Sequence, residues 1–397
     1  MKIITRKTIN CPICGSEQYN IGYSKTYKVF IDNEELIWPT QQVICKKCGM
    51  IYTNPQPDVQ TLQFYYEKYL RFGESSALFS KEQVQFLKKN ANNSFNTILE
   101  IGAFDGTFLN LVKNEGFKVF GLEPSSEGVE KAEKKYGLNL EKAFFNEEYV
   151  KGFLKSGNNK FDIVCFFHVY EHIQNPINFL NLVTKITKPD GIIFIEVPDA
   201  QKPFANNIAD SFSIEHIMYY TETSFRNIAG ILGLELVEIE KPHGVIRVIF
   251  KNSNLKPTYK ITNEYENNKS ILEKYKKYRK KFLNSIKEKL EGLKNIVIYG
   301  AGMHTSQMIQ EGLLNDISIE YIVDSDPKKW GSKFFNYIVM SPEILKNCKY
   351  SVLISSYDSQ EEISSYLLNE FPSIKQVKLY NNVISYNKGD YSCGKKN

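Results

Sequence analysis

The sequence predicts an α/β protein: a doubly wound sheet mid-chain, a small metal-binding unit ahead of it, and a second strand–loop–helix unit behind it. Three observations carry this. Strand-like and helix-like segments alternate between positions 97 and 197. Two Cys-x-x-Cys pairs lie near the N-terminus, Cys11/Cys14 and Cys45/Cys48. A second alternation begins at Asn295 with a glycine loop after its first strand. At 397 residues the chain has room for two or three domains. The expected boundaries are 1–60, 61–252, a helical linker over 263–294 within 253–294, and 295–397.

The Cys pairs come first. Four of seven cysteines in two tight pairs read, in a reducing compartment, as metal ligands and not disulfides. Zinc takes four tetrahedral thiolates, and a closed four-cysteine shell is structural. Gly15 and Gly49 follow the pairs and permit the tight turn that aims backbone at the ion. Short β-like stretches at 27–30 and 42–44 complete a unit too small to be stable alone. Cys165 reads as a core residue of an apolar strand; Cys348 and Cys393 carry no motif.

In the middle unit, strands are expected at 97–101, 118–123, 138–143, 161–167 and 191–197. Helices are expected at 107–115, 125–136 and 175–187. This alternation implies a parallel sheet covered on both faces. The loop Glu100-x-Gly102-x-x-x-Gly106 joins the first strand to the first helix, where backbone must approach a ligand closely. A glycine loop also serves NAD, but this spacing is not Gly-x-Gly-x-x-Gly. Glu100 can hold the ammonium of a methionine moiety. Glu123 ends the second strand, where a carboxylate can accept both ribose hydroxyls. S-adenosylmethionine is therefore the expected cofactor, with Ala103 and Pro124 beside these residues. Phe166, Phe167 and His168 fall at the carboxyl end of the fourth strand, and Phe144 and Phe145 after the third. These aromatics are equally natural as core.

With these motifs in place, the chain resembles class I methyltransferases, and more closely the zinc-containing sugar C-methyltransferases that act on dTDP-linked keto sugars. The matching elements are the Cys pairs, Glu100-Ile-Gly-Ala-Phe-Asp-Gly106, Gly121-Leu-Glu-Pro-Ser125 and Ile195-Glu-Val-Pro198. Glu215-His216 with Tyr219-Tyr220-Thr221, and His243-Gly244 before Arg247, match as well. The resemblance covers nearly the whole chain. It implies a zinc-binding N-terminal domain, a methyltransferase domain and a Rossmann-like C-terminal domain. It also implies a nucleotide-sugar partner and a base that removes the proton beside a ketone. The family's Tyr-His-Glu-His run corresponds to Ser213-Ile214-Glu215-His216, which keeps only the Glu-His pair. Its His-Gly-Gly-Ser segment is shortened to His243-Gly-Val-Ile. O-methylation of a small acceptor, and a non-catalytic nucleotide-sugar-binding protein, stand as the rivals.

Of five histidines, His216 is the first candidate base, with Glu215 beside it, and His168 the second. For His216 a structural role in closing its loop is nearly level. His172, in a His-x-x-x-His run with Glu171, invites a metal reading, but Glu171-His-Ile-Gln-Asn-Pro176 is a common helix entry, so a structural role is favoured. His243 and Arg247 are candidate substrate contacts. In the last unit, strands at 295–299, 318–324 and 350–354 surround Gly300-Ala-Gly302. Gly300, Gly302 and His304 are candidate phosphate contacts, unless this unit serves only as scaffold or dimer surface.

Net charge is only +5, too weak a balance to point to nucleic acid, which needs a basic patch on one face. No apolar run nears the ~18 residues of a membrane span, and residues 1–7 lack a secretory core. A cytoplasmic chain without membrane or nucleic-acid partners is expected. Nothing in the sequence points to an oligomeric state.

Overall fold

The computed structural model describes residues 2–31, 34–68, 77–203, 206–208, 210–253 and 255–380. Cys393 lies outside them.

The N-terminal unit is built on a long antiparallel hairpin. After β1 (Lys2–Ile3) and β2 (Arg6–Lys7), β3 (Tyr19–Ile31) pairs with β4 (Glu34–Cys45), from Tyr19 opposite Cys45 to Ile31 opposite Glu34. β5 (Ile51–Thr53) extends this sheet, and β6 (Gln56–Pro57) pairs with β2. Two helices follow, α1 (Val59–Lys68) and α2 (Ala77–Asn90).

The central unit then alternates: β7 (Thr97–Ile101), α3 (Thr107–Asn114), β8 (Lys118–Leu122), α4 (Ser126–Tyr136), α5 (Glu147–Lys155), β9 (Phe161–Phe167), α6 (Pro176–Ile186) and β10 (Thr187–Pro198). The α6 start follows from its sequence. Asn175 caps it by accepting from the Asn178 amide at 3.2 Å, and Pro176 sits in the first turn, where no amide donor is needed. A loop leads to β11 (Met218–Tyr219), followed by α7 (Glu222–Leu232), β12 (Glu235–Glu240) and β13 (Val245–Lys251). The sheet order is β12-β13-β10-β9-β7-β8.

Two expectations are corrected here. The sheet is mixed, because β13 runs antiparallel to both β10 and β12. The expected strand at 138–143 is absent: only Glu141 pairs, opposite Leu122. Glu141 exchanges both backbone bonds with this edge, donating to Gly121 and accepting from Glu123. Leu138 and Leu140 are instead buried in the core, Leu138 beside Gly106 and Leu140 beside Gly121.

β11 does not join the central sheet. It pairs antiparallel with β5, Met218 opposite Tyr52, so the central unit contributes a strand to the N-terminal sheet. A shared core cements this junction. Trp38 packs on Tyr65, Tyr170 stacks on Tyr220 with ring centroids 4.7 Å apart, and all four are buried.

The long helix α8 (Tyr265–Leu290) forms where the sequence repeats an apolar residue every three or four positions. Its first half buries Leu272 and Tyr275 with Ile44, Ile51 and Phe212. Its second half buries Ile286 and Leu290 with Ile296 and Met308. The last unit comprises β14 (Asn295–Tyr299), α9 (Met303–Gln310), β15 (Ser318–Val323), β16 (Lys333–Phe334), β17 (Tyr337–Met340), β18 (Ser351–Ile354), α10 (Gln360–Glu370) and β19 (Gln376–Lys378). Its order is β16-β17-β15-β14-β18-β19, parallel except for the β16 edge. Among the described residues no helix is long and apolar enough to cross a membrane.

Candidate functional site

The glycine loop after β7 is held open by the next strand. The Gly102 and Ala103 amides donate to the Leu122 carbonyl at 2.8 and 2.9 Å. Gly102 and Gly106 have φ of +76° and +71°, and Gly106 caps α3. A Cβ on Gly102 would stand 2.6 Å from the Val169 side chain, so both the torsion and the space demand glycine. Glu123 closes the loop. Its Oε2 accepts from the Phe104 amide and its Oε1 from the Ser125 amide, both at 2.8 Å. Each oxygen keeps a second lone pair, so the carboxylate is fixed yet able to accept further hydroxyls.

Glu100, at the end of β7, is buried, and its Oε2 has no hydrogen-bond partner among the described residues. Burial holds its carboxyl well above the usual range, with Asp105 and Glu123 adding to the effect. A buried, unsatisfied acid at a strand end fits a group that brings its own positive charge. Phe144 is exposed, whereas Phe167 packs edge-on against Phe108 and Phe194.

Beside this loop, at the carboxyl ends of β9 and β10, lies a cluster of histidines and glutamates. His168 leaves β9 with φ of +53°. That turn directs Nδ1 to Glu171 Oε1 and Nε2 to Glu196 Oε1, both at 3.4 Å. Burial pulls its pKa down, but the two carboxylates outweigh this and push it up to about 10. Glu171 is buried. Burial raises its carboxyl, but His168 and the neighbouring histidines dominate and hold it at about 2. His216 brings Nε2 to 3.9 Å from the same Glu171 Oε1. Burial and the positive field of His172 lower it to about 4. His172 meets His216 edge-on at 5.0 Å between centroids, and its Nδ1 lies 3.0 Å from the Glu215 carbonyl. The Glu215 side chain turns away from this cluster and accepts from the Tyr65 hydroxyl at 2.7 Å.

Glu196 also accepts from Gln83 at 2.8 Å and from Arg247 Nε. Arg247 is buried, and its remaining nitrogens reach Glu240 at 3.0 Å and Glu82 at 3.2 Å. Its guanidinium thus faces protein carboxylates on every side, which corrects the expectation that it contacts substrate. His243 sits at the rim, 3.6 Å from Glu82. The sequence reading assigned no role to Glu171 as hub, nor to Glu196, Glu82 or Gln83. Glu196 left one signal: a lone acid inside an otherwise apolar strand.

The four cysteine sulfurs lie together. Cys11 and Cys48 are 3.6 Å apart, Cys14 and Cys45 3.5 Å, and all four sulfurs are within 4.8 Å of one another. A tetrahedron with metal–sulfur arms of about 2.3 Å has edges of about 3.8 Å, so the set fits one zinc ion. Each knuckle closes through a glycine amide, Gly15 to Cys11 O and Gly49 to Cys45 O, both at 2.9 Å. The second knuckle also seats α8, with Asn268 donating to the Gly49 carbonyl at 2.9 Å.

In the C-terminal unit, Gly300 has φ of +116° and donates to the Val323 carbonyl at 2.7 Å, and Ala301 donates to Asp324 Oδ2 at 2.7 Å. Gly302 caps α9 in extended conformation with open space around it. His304 is corrected as a phosphate contact. Its Nδ1 is 2.9 Å from Ser355 Oγ and its Nε2 2.6 Å from Tyr380 Oη. Burial, then Arg279, lower its pKa to about 3, so the ring is neutral and occupied.

Residues 71–239 match a family profile described as a methyltransferase domain, and residues 292–378 one described as C2185-like, N-terminal. The chain is 23% identical to C-methyltransferase NovU of Streptomyces niveus over 265 residues, covering 63% of this chain and 62% of that one. It is 24% identical to a ubiquinone biosynthesis O-methyltransferase of Actinobacillus pleuropneumoniae over 122 residues, 30% of this chain and 52% of that one. The chain therefore spans less than two thirds of the length of either relative. A solved S-adenosylmethionine-dependent methyltransferase from Archaeoglobus fulgidus aligns over 49% of this chain and all of its own, at 18% identity and a TM-score of 0.36. Over residues 71–239 the chain thus carries a methyltransferase domain.

Proposed function

We propose that this methyltransferase acts on carbon, methylating a keto sugar linked to a nucleotide of the dTDP type after a proton beside the ketone is removed. One observation supports this most: His168 and His216 converge on a single buried oxygen of Glu171 at the sheet edge that carries the cofactor loop. Methyl transfer to a hydroxyl or phenol needs one base. Removing a proton from carbon also needs charge held on the forming enolate oxygen, and a two-histidine site offers both functions.

When bound, S-adenosylmethionine supplies an electrophilic methyl on a sulfonium. Glu100 receives the ammonium, and Glu123 the ribose hydroxyls. Gly102, Ala103 and Gly106 give backbone access, while Pro124, Phe144 and Phe167 shape the walls. His216 accepts the proton, and Glu171 orients it. His168, its two nitrogens facing Glu171 and Glu196, places positive charge beside the enolate oxygen. Glu215, tied to Tyr65, positions the loop that carries His216. His243 at the rim meets the sugar. Gly300 and Gly302 lie where the nucleotide phosphates approach. Cys11, Cys14, Cys45 and Cys48 hold a structural zinc, which closes the N-terminal sheet. The reaction is cytoplasmic.

The test is isotope exchange. With dTDP-keto sugar and S-adenosylhomocysteine in deuterated water, the proton beside the ketone should wash out, and His216→Ala should stop this while S-adenosylhomocysteine still binds. Methyl transfer with that proton fully retained would overturn carbon as the acceptor. It would favour the O-methylation that the ubiquinone relatives are named for.

A further inference from the structure

We propose that Glu171, His172 and His216 form a second metal site, separate from the four cysteines, for a borderline divalent cation of the Zn2+, Co2+ or Ni2+ kind. The proposal goes beyond the acceptor assignment, because binding of the ion does not depend on what is methylated.

Three features of the cluster point to a ligand. One ligand atom from each of the three side chains lies within 4.8 Å of the other two. Two imidazoles and one carboxylate make the donor set that such cations prefer, and Mg2+ or Ca2+, which favour oxygen, would be poorly served. Second, both Glu171 oxygens are buried with no hydrogen-bond partner among the described residues. Their nearest cationic neighbours are at 3.4 and 3.9 Å, beyond hydrogen-bonding length. A buried carboxylate so placed gains more from an ion than from any contact it now makes. Third, His172 is already oriented as a ligand. Its Nδ1 is 3.0 Å from the Glu215 carbonyl, which fixes the orientation of the ring. Holding the far ring nitrogen against a carbonyl is how proteins aim metal-binding histidines.

Ligand atoms of a tetrahedral site stand about 3.4 Å apart, so the three side chains would draw in by about an ångström. His168 shares Glu171 Oε1 and would yield it to the ion. Three protein ligands leave a fourth coordination position open. The ion would use the His216 lone pair that proton removal needs, so metal and base are alternative states of one side chain.

The test uses the full chain with its cysteines zinc-loaded, titrated with Co2+ alone. One further equivalent is expected, with weak visible d–d bands and no sulfur-to-cobalt charge transfer. His172→Ala should abolish this equivalent while the zinc content stays at one per chain, and Glu171→Gln should do the same. Absence of a second equivalent, charge-transfer bands on it, or its survival in His172→Ala would each overturn the site. The readout requires no acceptor, so it separates from failure of the carbon-methylation reading, which deuterium exchange tests on enzyme whose only metal is the cysteine-bound zinc.

Discussion

The molecule contains two glycine loops built on one plan, and they end in opposite states. In the central unit the Gly102 amide bonds the Leu122 carbonyl, and the loop amide of Phe104 bonds Glu123. In the C-terminal unit the Gly300 amide bonds the Val323 carbonyl, and Ala301 bonds Asp324. The difference lies in what is left over. The central strand ends in Glu100, with a buried, unsatisfied oxygen. The C-terminal strand ends in Tyr299. There Asp324 is matched by Lys329 at 2.9 Å, while Thr305 is occupied by Gly300 and Ser355. The backbone scaffold is shared, but of the two strand ends only the first carries a buried acid with an unmet oxygen among the described residues.

The comparison breaks most easily at the two strand-end acids. Glu123→Ala should weaken S-adenosylhomocysteine binding by about 100-fold or more, about 3 kcal/mol, since it removes both the loop anchor and the hydroxyl acceptor. Asp324→Ala should leave that affinity within about twofold and instead lower the melting temperature of the C-terminal unit. Equal losses from both, in calorimetric titration, would mean the loops are not functionally distinct.

Glu100→Gln should cost about 10- to 100-fold in the same titration. It should also remove a proton signal. Burial keeps the free Glu100 carboxyl protonated above its usual range, and an incoming ammonium favours the ionised form. Binding therefore releases a proton, and affinity rises with pH up to the raised pKa. Calorimetry in buffers of different ionisation enthalpy should show this release in the natural chain and not in Glu100→Gln.

Gly102→Ala should cost about 1–3 kcal/mol of stability from strain and the Val169 clash. Gly302→Ala, extended and in open space, should stay within about 0.5 kcal/mol. The smallest effect concerns His304. Its folded pKa of about 3 lies below the unfolded value near 6.5, so its contribution is present above pH 6.5 and lost as pH falls toward 3. Denaturant titrations should show under ~1 kcal/mol of this loss at pH 6, and His304→Gln should remove it.

These contrasts mark how far the sequence could be read. Strands β7, β9 and β14 announce themselves, because a strand buried on both faces is a nearly unbroken apolar run. β12 escapes notice because glutamates alternate along it at the sheet edge. The stretch at 138–143 has the composition of a strand, but its leucines are used in packing around Gly106 and Gly121. Of the site, the cofactor loop and the cysteines were legible because spacing alone encodes them. The hub was not. Glu171 meets His216 across 45 positions, and that meeting depends on where the loop after β10 lands. Arg247 and His304 looked like ligand contacts because a sequence shows a side chain's chemistry but not whether its partners are already supplied.

The placement of β11 carries a consequence for modularity. The segment bearing His216 leaves one sheet at Pro198 and is stitched into another at Met218, with the Thr53 amide holding the Ile217 carbonyl at 2.8 Å. The cysteine-bearing unit is thus tied to the segment that carries His216 and is not a detachable appendage. Recombination among such enzymes would have to move that unit and the acceptor loop together, and acceptor preference would be inherited as a pair of distant segments.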